Sequence, residues 1–380
     1  MKILFVAPRY HTNFIPIVDG LVEKGHEVRI AVNNMHPDDD SILVTKMQQS
    51  IITRCMINLW KRKGDSYVEK KMILWFMPKK HSVQKMITEY RPDVVVLRDR
   101  NLLSLAFNKI CKKRKIGKIL LYNQTAVYRK KTEMKSSIFK KAWISLFPPK
   151  RITVCRYNEY PVSCNYYRDS NATFVPFVLR TTRKVIKDKI YAPNGVVRIL
   201  DSGKYRPYKN HLLLVEAAKL LVQKGQTNFH ITIVGQAKNK DEKEYKELVN
   251  KRILEHGLSE FFSVLDAVPY EAMENLFNCH DVYVLASSHE LANVSIIDAM
   301  SYGLATISTN ENGTSDYISD GEDGLIFLSR DAVDLSNKIN QYLNNFDLIS
   351  RHGYSAKKAI EEMCSFENYY TTFLDVVGSL

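Results

Sequence analysis

The sequence predicts an α/β chain of two domains, each a doubly wound parallel sheet. Three observations predict it. At 380 residues the chain is too long for one ordinary core. Short apolar runs alternate with helical stretches along both halves, the pattern of βαβ units. A polar, basic stretch, Arg180–Tyr191, ends at Ala192-Pro-Asn-Gly195, and the charge balance changes sign there. The expected domains are therefore residues 1–192 and 193–365, and a cleft between two such domains is where small ligands usually sit.

Hydrophobic content of 45% and charged content of 25% are those of an ordinary globular chain. No apolar run approaches the ~18 residues of a membrane-spanning helix. Lys2-Ile-Leu-Phe-Val-Ala-Pro8 is too short for a signal peptide and reads as a first strand. Six cysteines (Cys55, Cys111, Cys155, Cys164, Cys279, Cys364) are scattered without a C-x-x-C pair, so reduced thiols in the cytoplasm are expected and a metal site is not. Residues 1–194 hold 38 Lys+Arg against 15 Asp+Glu, a net +23. Residues 195–380 hold 17 against 26, a net −9. That asymmetry suits an anionic partner for the first half, either nucleic acid or a membrane surface, unless the basic surface is merely solvated.

In chain order, Lys2–Ala7 is a strand, Thr12–Lys24 a helix broken by Gly25, and Val28–Val32 the next strand. The turn between them, Pro8 to Phe14, carries no G-x-G-x-x-G, which argues against a dinucleotide enzyme. His11 and Asn13 stand there as ligand candidates. His36-Pro-Asp-Asp-Asp40 resembles a metal-binding carboxylate pair but suits a solvated loop. Residues 41–90 read as a less regular, basic and aromatic insertion. Pro92 to Arg98 is a buried strand, Asn101–Lys115 a helix and Lys118–Tyr122 a strand followed by Asn123-Gln124. Phe139, Ala142, Trp143 and Leu146 form an i, i+3, i+4, i+7 stripe among Lys135, Lys140, Lys141 and Lys150. It suits a helix lying in a membrane interface or a core-facing helix with a basic back. Ile152–Cys155 and Thr173–Pro176 finish the first sheet.

The second half restarts at Val196–Leu200. Helices Leu212–Lys224, Tyr245–His256 and Tyr270–Cys279 alternate with strands Phe229–Val234, Phe261–Leu265 and Val282–Leu285. Ser287 and Ser288 offer hydroxyls ahead of a helix carrying Val294, Ile297 and Met300, which Gly303 ends. Leu304–Ser308 and Leu325–Leu328 are strands, and Asp331–Asn344 and Phe366–Val377 are helices. Four polar turns then fall at the carboxyl ends of parallel strands: Ser202 to Lys209, Gly235, Glu290 to Asp298, and Asn312 to Ser315. Ligands of such sheets bind at that edge. Lys204, Arg206 and Lys209 suit a diphosphate, and the helix after Asn293 adds its N–H groups and positive dipole end. Glu290 and Asp298 are acceptors for sugar and ribose hydroxyls, or else solvated surface acids.

Gly203-Lys-Tyr-Arg-Pro-Tyr-Lys209, the Glu290-x7-Asp298 spacing, Asp298-Ala-Met-Ser-Tyr-Gly303 and Asn312-Gly-Thr with Gly321-Glu-Asp-Gly324 resemble the second half of retaining glycosyltransferases of family 4, which have the GT-B fold of two Rossmann-like domains. Gly25-His-Glu-Val28 and Pro92-Asp-Val-Val95 extend the resemblance more loosely over the first half. It is similar to enzymes of bacterial capsule and O-antigen synthesis. The resemblance implies a nucleoside-diphosphate sugar donor, UDP-sugar favoured, bound by the second domain, with no cofactor or metal. It implies catalytic roles for Glu290, Lys209 and Lys204, and donor contacts from Ser202, Gly203, Arg206, Gly235, Asn293, Val294, Ser295, Asp298, Asn312, Gly313 and Thr314. The first domain would bind a polyprenyl-diphosphate-linked or other glycan acceptor through His11, Asn13, Arg98, Asn123 and Gln124, with residues 366–380 crossing back onto it.

The chain departs from the family pattern at four places. Asp298 replaces the usual Glu. Lys204 replaces an Arg and cannot fork onto two phosphate oxygens. Leu291-Ala-Asn293 stands for Gly-Phe-Gly, and Arg9 to Asn13 stands for a glycine-rich loop, with Asn123-Gln124 where a histidine is usual. The expected function is sugar transfer to a lipid-linked glycan in cell-surface polysaccharide synthesis, on the inner face of the cell membrane and without nucleic acid. The alternatives are a sugar-nucleotide epimerase or hydrolase of the same fold, and a basic nucleic-acid-binding protein.

Overall fold

The computed structural model describes residues 1–10, 12–34, 43–130, 137–157 and 166–380. His11, the acidic run 36–40, Lys131, Lys135 and Cys164 lie outside the described residues. The chain divides into two compact units. The first takes residues 1–154, 165–178 and 366–380, and the second takes 155–164 and 179–365.

The first unit opens with β1 (Lys2–Ala7), a 3-10 turn over Thr12–Phe14, α1 (Ile15–Glu23) and β2 (Glu27–Val32). Pro16 stands in the first turn of α1, where its missing N–H costs no hydrogen bond. Gly25, at φ 79°, turns the chain out of the helix. β3 (Val44–Lys46) is followed by three helices, α2 (Ile51–Lys61), α3 (Asp65–Trp75) and α4 (Lys80–Tyr90). The insertion read as irregular is therefore helical. Ile51, Ile52, Leu59, Ile73, Leu74 and Trp75 stay exposed on α2 and α3, so no single buried stripe marks them in the sequence.

β4 (Val94–Arg98), α5 (Leu102–Arg114), β5 (Lys118–Tyr122), β6 (Tyr128–Lys130), α6 (Ile138–Ser145), β7 (Arg151–Thr153), β8 (Tyr166–Arg168) and β9 (Ala172–Phe174) complete the unit up to its C-terminal helix. Its parallel sheet runs β3-β2-β1-β4-β5-β7-β9, and β6 pairs antiparallel with β8. The winding reverses between β1 and β4. α6 buries none of its residues; Ile138 is 82% and Phe139 87% exposed. That excludes the core-facing reading of this helix.

The second unit contains β10 (Val197–Ser202), α7 (His211–Gln223), β11 (Phe229–Gly235), α8 (Lys240–Glu255), β12 (Phe262–Asp266), α9 (Tyr270–Cys279), β13 (Val282–Leu285), α10 (Val294–Ser301), β14 (Ala305–Thr309), β15 (Gly324–Phe327), α11 (Ala332–Leu343) and α12 (Phe346–Met363). Its parallel sheet runs β12-β11-β10-β13-β14-β15 and reverses between β10 and β13. Ile199, Ile231, Ile233, Val284 and Ile307 fill one core with Leu214, Ala218 and Leu335 from the helices. Sequence analysis assigns no helix to 346–363. Gly353 and His352 interrupt its pattern, yet both are buried: a Cβ at Gly353 would overlap the Gly303 carbonyl. Asn345 caps this helix by accepting from Leu348 N.

The stretch expected to be a linker belongs to the second unit because its side chains are tied there. Tyr191 Oη donates to Gly303 O (2.7 Å), Lys189 Nζ to Phe277 O (2.9 Å) and Arg183 Nη1 to Ser301 O (3.3 Å). The division falls at Val178/Leu179 rather than at 192.

The last helix, α13 (Phe366–Gly378), packs on α1 within the first unit. Gly20 makes this possible, because the Phe366 ring occupies the place of a Cβ. His26 Nε2 meets Tyr370 Oη at 2.8 Å, and Lys118 Nζ donates to Val377 O at 2.8 Å. Gly20→Ala gains ~1 kcal/mol of helix propensity but forces the helices apart, which costs ~1–3 kcal/mol. We expect a net loss of up to about 2 kcal/mol, read as a fall of up to about 8 °C in the melting temperature; a raised value would contradict this packing.

Candidate functional site

Lys209 and Glu290 come together at the carboxyl edge of the second sheet, where the strand order reverses. After β10 the chain turns through Gly203 to Arg206 and a 3-10 turn, Pro207–Lys209. Asn210, left-handed at φ 56°, then sets the start of α7. Two bonds stitch this turn to the loop after β13: Ser288 N donates to Tyr208 O (2.9 Å) and Asn210 Nδ2 to Ala286 O (3.0 Å). Lys209 Nζ thereby lies 2.8 Å from both carboxylate oxygens of Glu290, and Lys209 is only 7% exposed. A Cβ on Gly203 would press on the Lys209 stem at 3.0 Å, so the glycine gives the lysine its bed.

The third and fourth turns close on the same pair. Asn293 Nδ2 donates to Glu290 Oε2 (3.0 Å), while its Oδ1 accepts from Ile296 N and caps α10. Asn293, not Ser287 or Ser288, is thus the helix cap. Gly313 N donates to Glu290 O (2.8 Å), and a Cβ there would overlap the Leu291 carbonyl. Asn312 Oδ1 accepts from the N–H and the hydroxyl of Thr314. Ser287 Oγ and Asn312 Nδ2 are buried with no hydrogen-bond partner among the described residues. Buried polar atoms in that state are costly unless a ligand or water meets them. At the neighbouring strand ends, Ser202 Oγ meets Tyr283 Oη (2.9 Å), and Ser295 also bonds that tyrosine. Gly235 is required because the Gly203 carbonyl fills the place of its Cβ.

The other predicted residues are distributed less uniformly. Lys204 and Val294 are exposed. The Lys204 carbonyl faces His211 Nε2 (3.4 Å), and the other ring nitrogen of His211 meets Asp201 Oδ2 (2.8 Å), so this buried pair braces the turn from behind. Arg206 is not aimed at the Lys209–Glu290 pair. Its guanidinium binds Glu242 Oε1 (2.6 and 2.7 Å). Burial alone would raise the Glu242 carboxyl; the N–H of Lys238 and Arg206 outweigh it and hold the carboxyl below its ordinary value. Sequence reasoning missed Glu242 and the Asp201–His211 pair, since a contact across many residues leaves no local pattern.

Arg180, Arg183 and Glu274 act on the Asp298 carboxyl, and Asp298 acts in turn on Tyr270. Burial pushes its carboxyl up to about 7, against the pull of the two arginines. Asp316 is pushed up to about 7 by burial too, with Arg156 opposing, and neither of its carboxylate oxygens has a hydrogen-bond partner among the described residues. In the first unit, Asn13 lines a small apolar cavity with Phe14, Ile17 and Tyr122. Asn123 Oδ1 accepts from Thr125 N and Arg151 Nη1, and Gln124 beside it is half-buried. Arg98 is buried against the rings of Tyr122 (4.5 Å) and Phe14 (5.4 Å).

A carboxyl raised on folding binds a proton that the unfolded chain has already lost. Between about pH 4 and 7 the folded state therefore holds more protons, and stability falls as pH rises, levelling above 7. We expect Asp298→Asn and Asp316→Asn each to reduce the fall in melting temperature between pH 5 and pH 8. An unchanged pH slope in both variants would show that these carboxyls are not withdrawn from water.

Residues 182–359 match the family model described as glycosyl transferases group 1. The poly(ribitol-phosphate) alpha-N-acetylglucosaminyltransferase of Staphylococcus aureus (strain COL) is 28% identical over 175 residues, 46% of this chain and 34% of that protein. The S. aureus capsular polysaccharide biosynthesis glycosyltransferase CapM is 27% identical over 175 residues, 42% of each. The chain thus spans well under half the length of these relatives. Anabaena HepE, solved in complex with UDP-glucose, superposes over all of both chains with a TM-score of 0.72 at 12% identity, which establishes the fold. Over residues 182–359 the sequence is thus similar to group 1 glycosyltransferases, among them one of capsule synthesis, and the chain throughout has the GT-B fold that HepE shows.

Proposed function

We propose that the chain transfers a sugar, with retention, from a nucleoside-diphosphate donor to a glycan acceptor in cell-surface polysaccharide synthesis. The second unit holds the donor, UDP-sugar favoured, and the first holds the acceptor. The single observation that carries this reading is the Lys209–Glu290 pair, gathered with Asn293, Gly313 and the buried Ser287 and Asn312 at the switch point of the sheet. The relatives named above, transferases of N-acetylglucosamine and of capsule synthesis, support it.

In the reaction the bond from the anomeric carbon to the diphosphate oxygen breaks, and a bond to the acceptor hydroxyl oxygen forms. The hydroxyl proton leaves toward the departing diphosphate. The leaving group gains negative charge as its bond stretches, so a cation fixed beside it binds the transition state better than the substrate. Lys209 and Lys204 supply that charge. The start of α10 adds its N–H groups and positive dipole end. Glu290 accepts from the donor sugar hydroxyls; already held by Lys209 and Asn293, it serves as an orienter rather than a nucleophile. Asp298 accepts from the ribose. Arg206 stays with Glu242 as a strut of the turn. No three His, Cys, Asp or Glu side chains gather as a metal site among the described residues, and the proposed chemistry gives no step to a metal.

Lys209→Met and Glu290→Gln are each expected to lower kcat by about 10²–10³-fold, the range seen when one transition-state donor is lost. Wild-type transfer rates in either variant would sink the proposal, as would turnover of donor to free sugar at the full rate without acceptor. Activity should persist after EDTA treatment; a loss restored by a divalent cation would contradict the metal-free reading.

We further propose that the first unit docks on an anionic membrane. The exposed Ile138 and Phe139 of α6 stand beside Lys140 and Lys141, and the exposed apolar residues of α2 and α3 lie among Lys61, Arg62, Lys63, Lys70 and Lys71. Flotation with anionic vesicles should carry the protein, weaken with salt and weaken again with Phe139→Asp. Equal flotation on neutral vesicles, unchanged by salt and by the substitution, would contradict it.

A further inference from the structure

The residue before Glu290 holds a backbone conformation that has to be imposed on it. His289 has φ 56°, in the left-handed region where residues other than glycine are uncommon. Such a conformation costs free energy and persists where the surroundings enforce it. Turning this torsion to an ordinary value near −60° would swing the chain beyond it by roughly 120°. The Glu290 carboxylate, 2.8 Å from Lys209 Nζ, would swing away with it.

The groups that enforce it come from the next two strand ends. Arg330, after β15, is itself left-handed at φ 65°. Its Nη2 lies 2.7 Å from Nε2 of His289. A guanidinium only donates, so Nε2 accepts and the proton of the ring sits on Nδ1. Glu311, after β14, steadies the arginine: its Oε2 lies 3.7 Å from Arg330 Nη2 and 3.5 Å from His289 Nε2, and accepts from Ser329 Oγ (2.9 Å). Ser329 N donates to Asn310 Oδ1 (2.8 Å), and Asn310 N to Phe327 O (2.9 Å). The loops after β14 and β15 are thus one piece, joined to the loop after β13 through the His289 ring. Gly313 N adds a backbone tie to Glu290 O, one residue on. The His289 and Arg330 side chains are 67% and 63% exposed, so their contacts add little to global stability. What they fix is the direction of the chain entering Glu290.

We infer that His289 is a positioning residue for sugar transfer: its ring, held by Arg330 and Glu311, fixes the backbone turn that aims Glu290 at Lys209 and at the donor sugar. It acts through Glu290 and needs no contact of its own with the donor. The inference rests on the reading of Glu290 as the group that orients the donor sugar.

The test measures kcat with the UDP-sugar that the wild type turns over, and the affinity for UDP alone, in His289→Ala, His289→Asn and Arg330→Met. His289→Ala removes the ring and disfavours the turn. Its kcat is expected to fall about 5–30-fold, the cost of left-handed backbone for an ordinary residue, with the melting temperature unchanged. Asparagine takes that conformation readily and offers an amide oxygen to Arg330, so His289→Asn is expected within about threefold of the wild type. Arg330→Met is expected to lower kcat on its own and to add nothing to His289→Ala, because the two share one contact. UDP carries no sugar for Glu290 to orient, and its affinity is expected to hold in all three variants. Full kcat in His289→Ala, an asparagine variant no better than the alanine one, or a matching loss of UDP affinity would overturn the inference. Glu290→Gln, measured alongside, separates the two readings. If it is impaired while His289→Ala is not, the positioning role falls and the transfer reaction stands; if it keeps the wild-type rate, the reading of Glu290 itself falls.

Discussion

The ion pair between Lys209 and Glu290 is the contact on which the second unit's site depends. Both ends are withdrawn from water: Lys209 is buried, and the Glu290 side chain keeps 17% of its surface. Such a pair contributes little net stability, because desolvation offsets most of the attraction. Its effect is on geometry. A buried lysine left without its carboxylate would cost several kcal/mol, at most about 3–5 where burial is complete, so every loop that bears on the pair is constrained. The glycines show this constraint. Gly203 makes room for the lysine stem, Gly235 for the Gly203 carbonyl, and Gly313 for the Leu291 carbonyl. Turns spread along the chain from Gly203 to Gly313 are thereby closed on one another.

The same unit holds carboxyls that oppose folding at neutral pH. Asp298 and Asp316 are both lifted to about 7 by burial. Arg180, Arg183 and Glu274 act on the Asp298 carboxyl.

Much of this was legible in the sequence. The strands of both sheets are short apolar runs, and Val282–Leu285 and Tyr270–Cys279 fall where periodicity and punctuation place them. The turns of the candidate site could be read because glycine, asparagine and lysine at strand ends have few other uses. Three features were not legible, each for a physical reason. α2 and α3 leave apolar side chains in solvent, so no buried stripe betrays them. α12 hides behind a glycine that the fold needs for close approach to Gly303. The partner that ties up Arg206 is distant in sequence, and distance in sequence erases the signal. Arg206 and Lys204 look interchangeable in the chain; only the three-dimensional position of Glu242 separates a strut from an exposed cation.

If Lys209 and Glu290 act as one unit, their energetic effects are coupled. The direct measurement is a double-mutant cycle on kcat/KM with Lys209→Met, Glu290→Gln and the double variant, using a UDP-sugar. We expect the double variant to be little worse than the poorer single one, a coupling of at least about 1 kcal/mol, inside the range for residues in contact. Losses that simply add would show two independent surface charges and would contradict a single donor centre built on this pair.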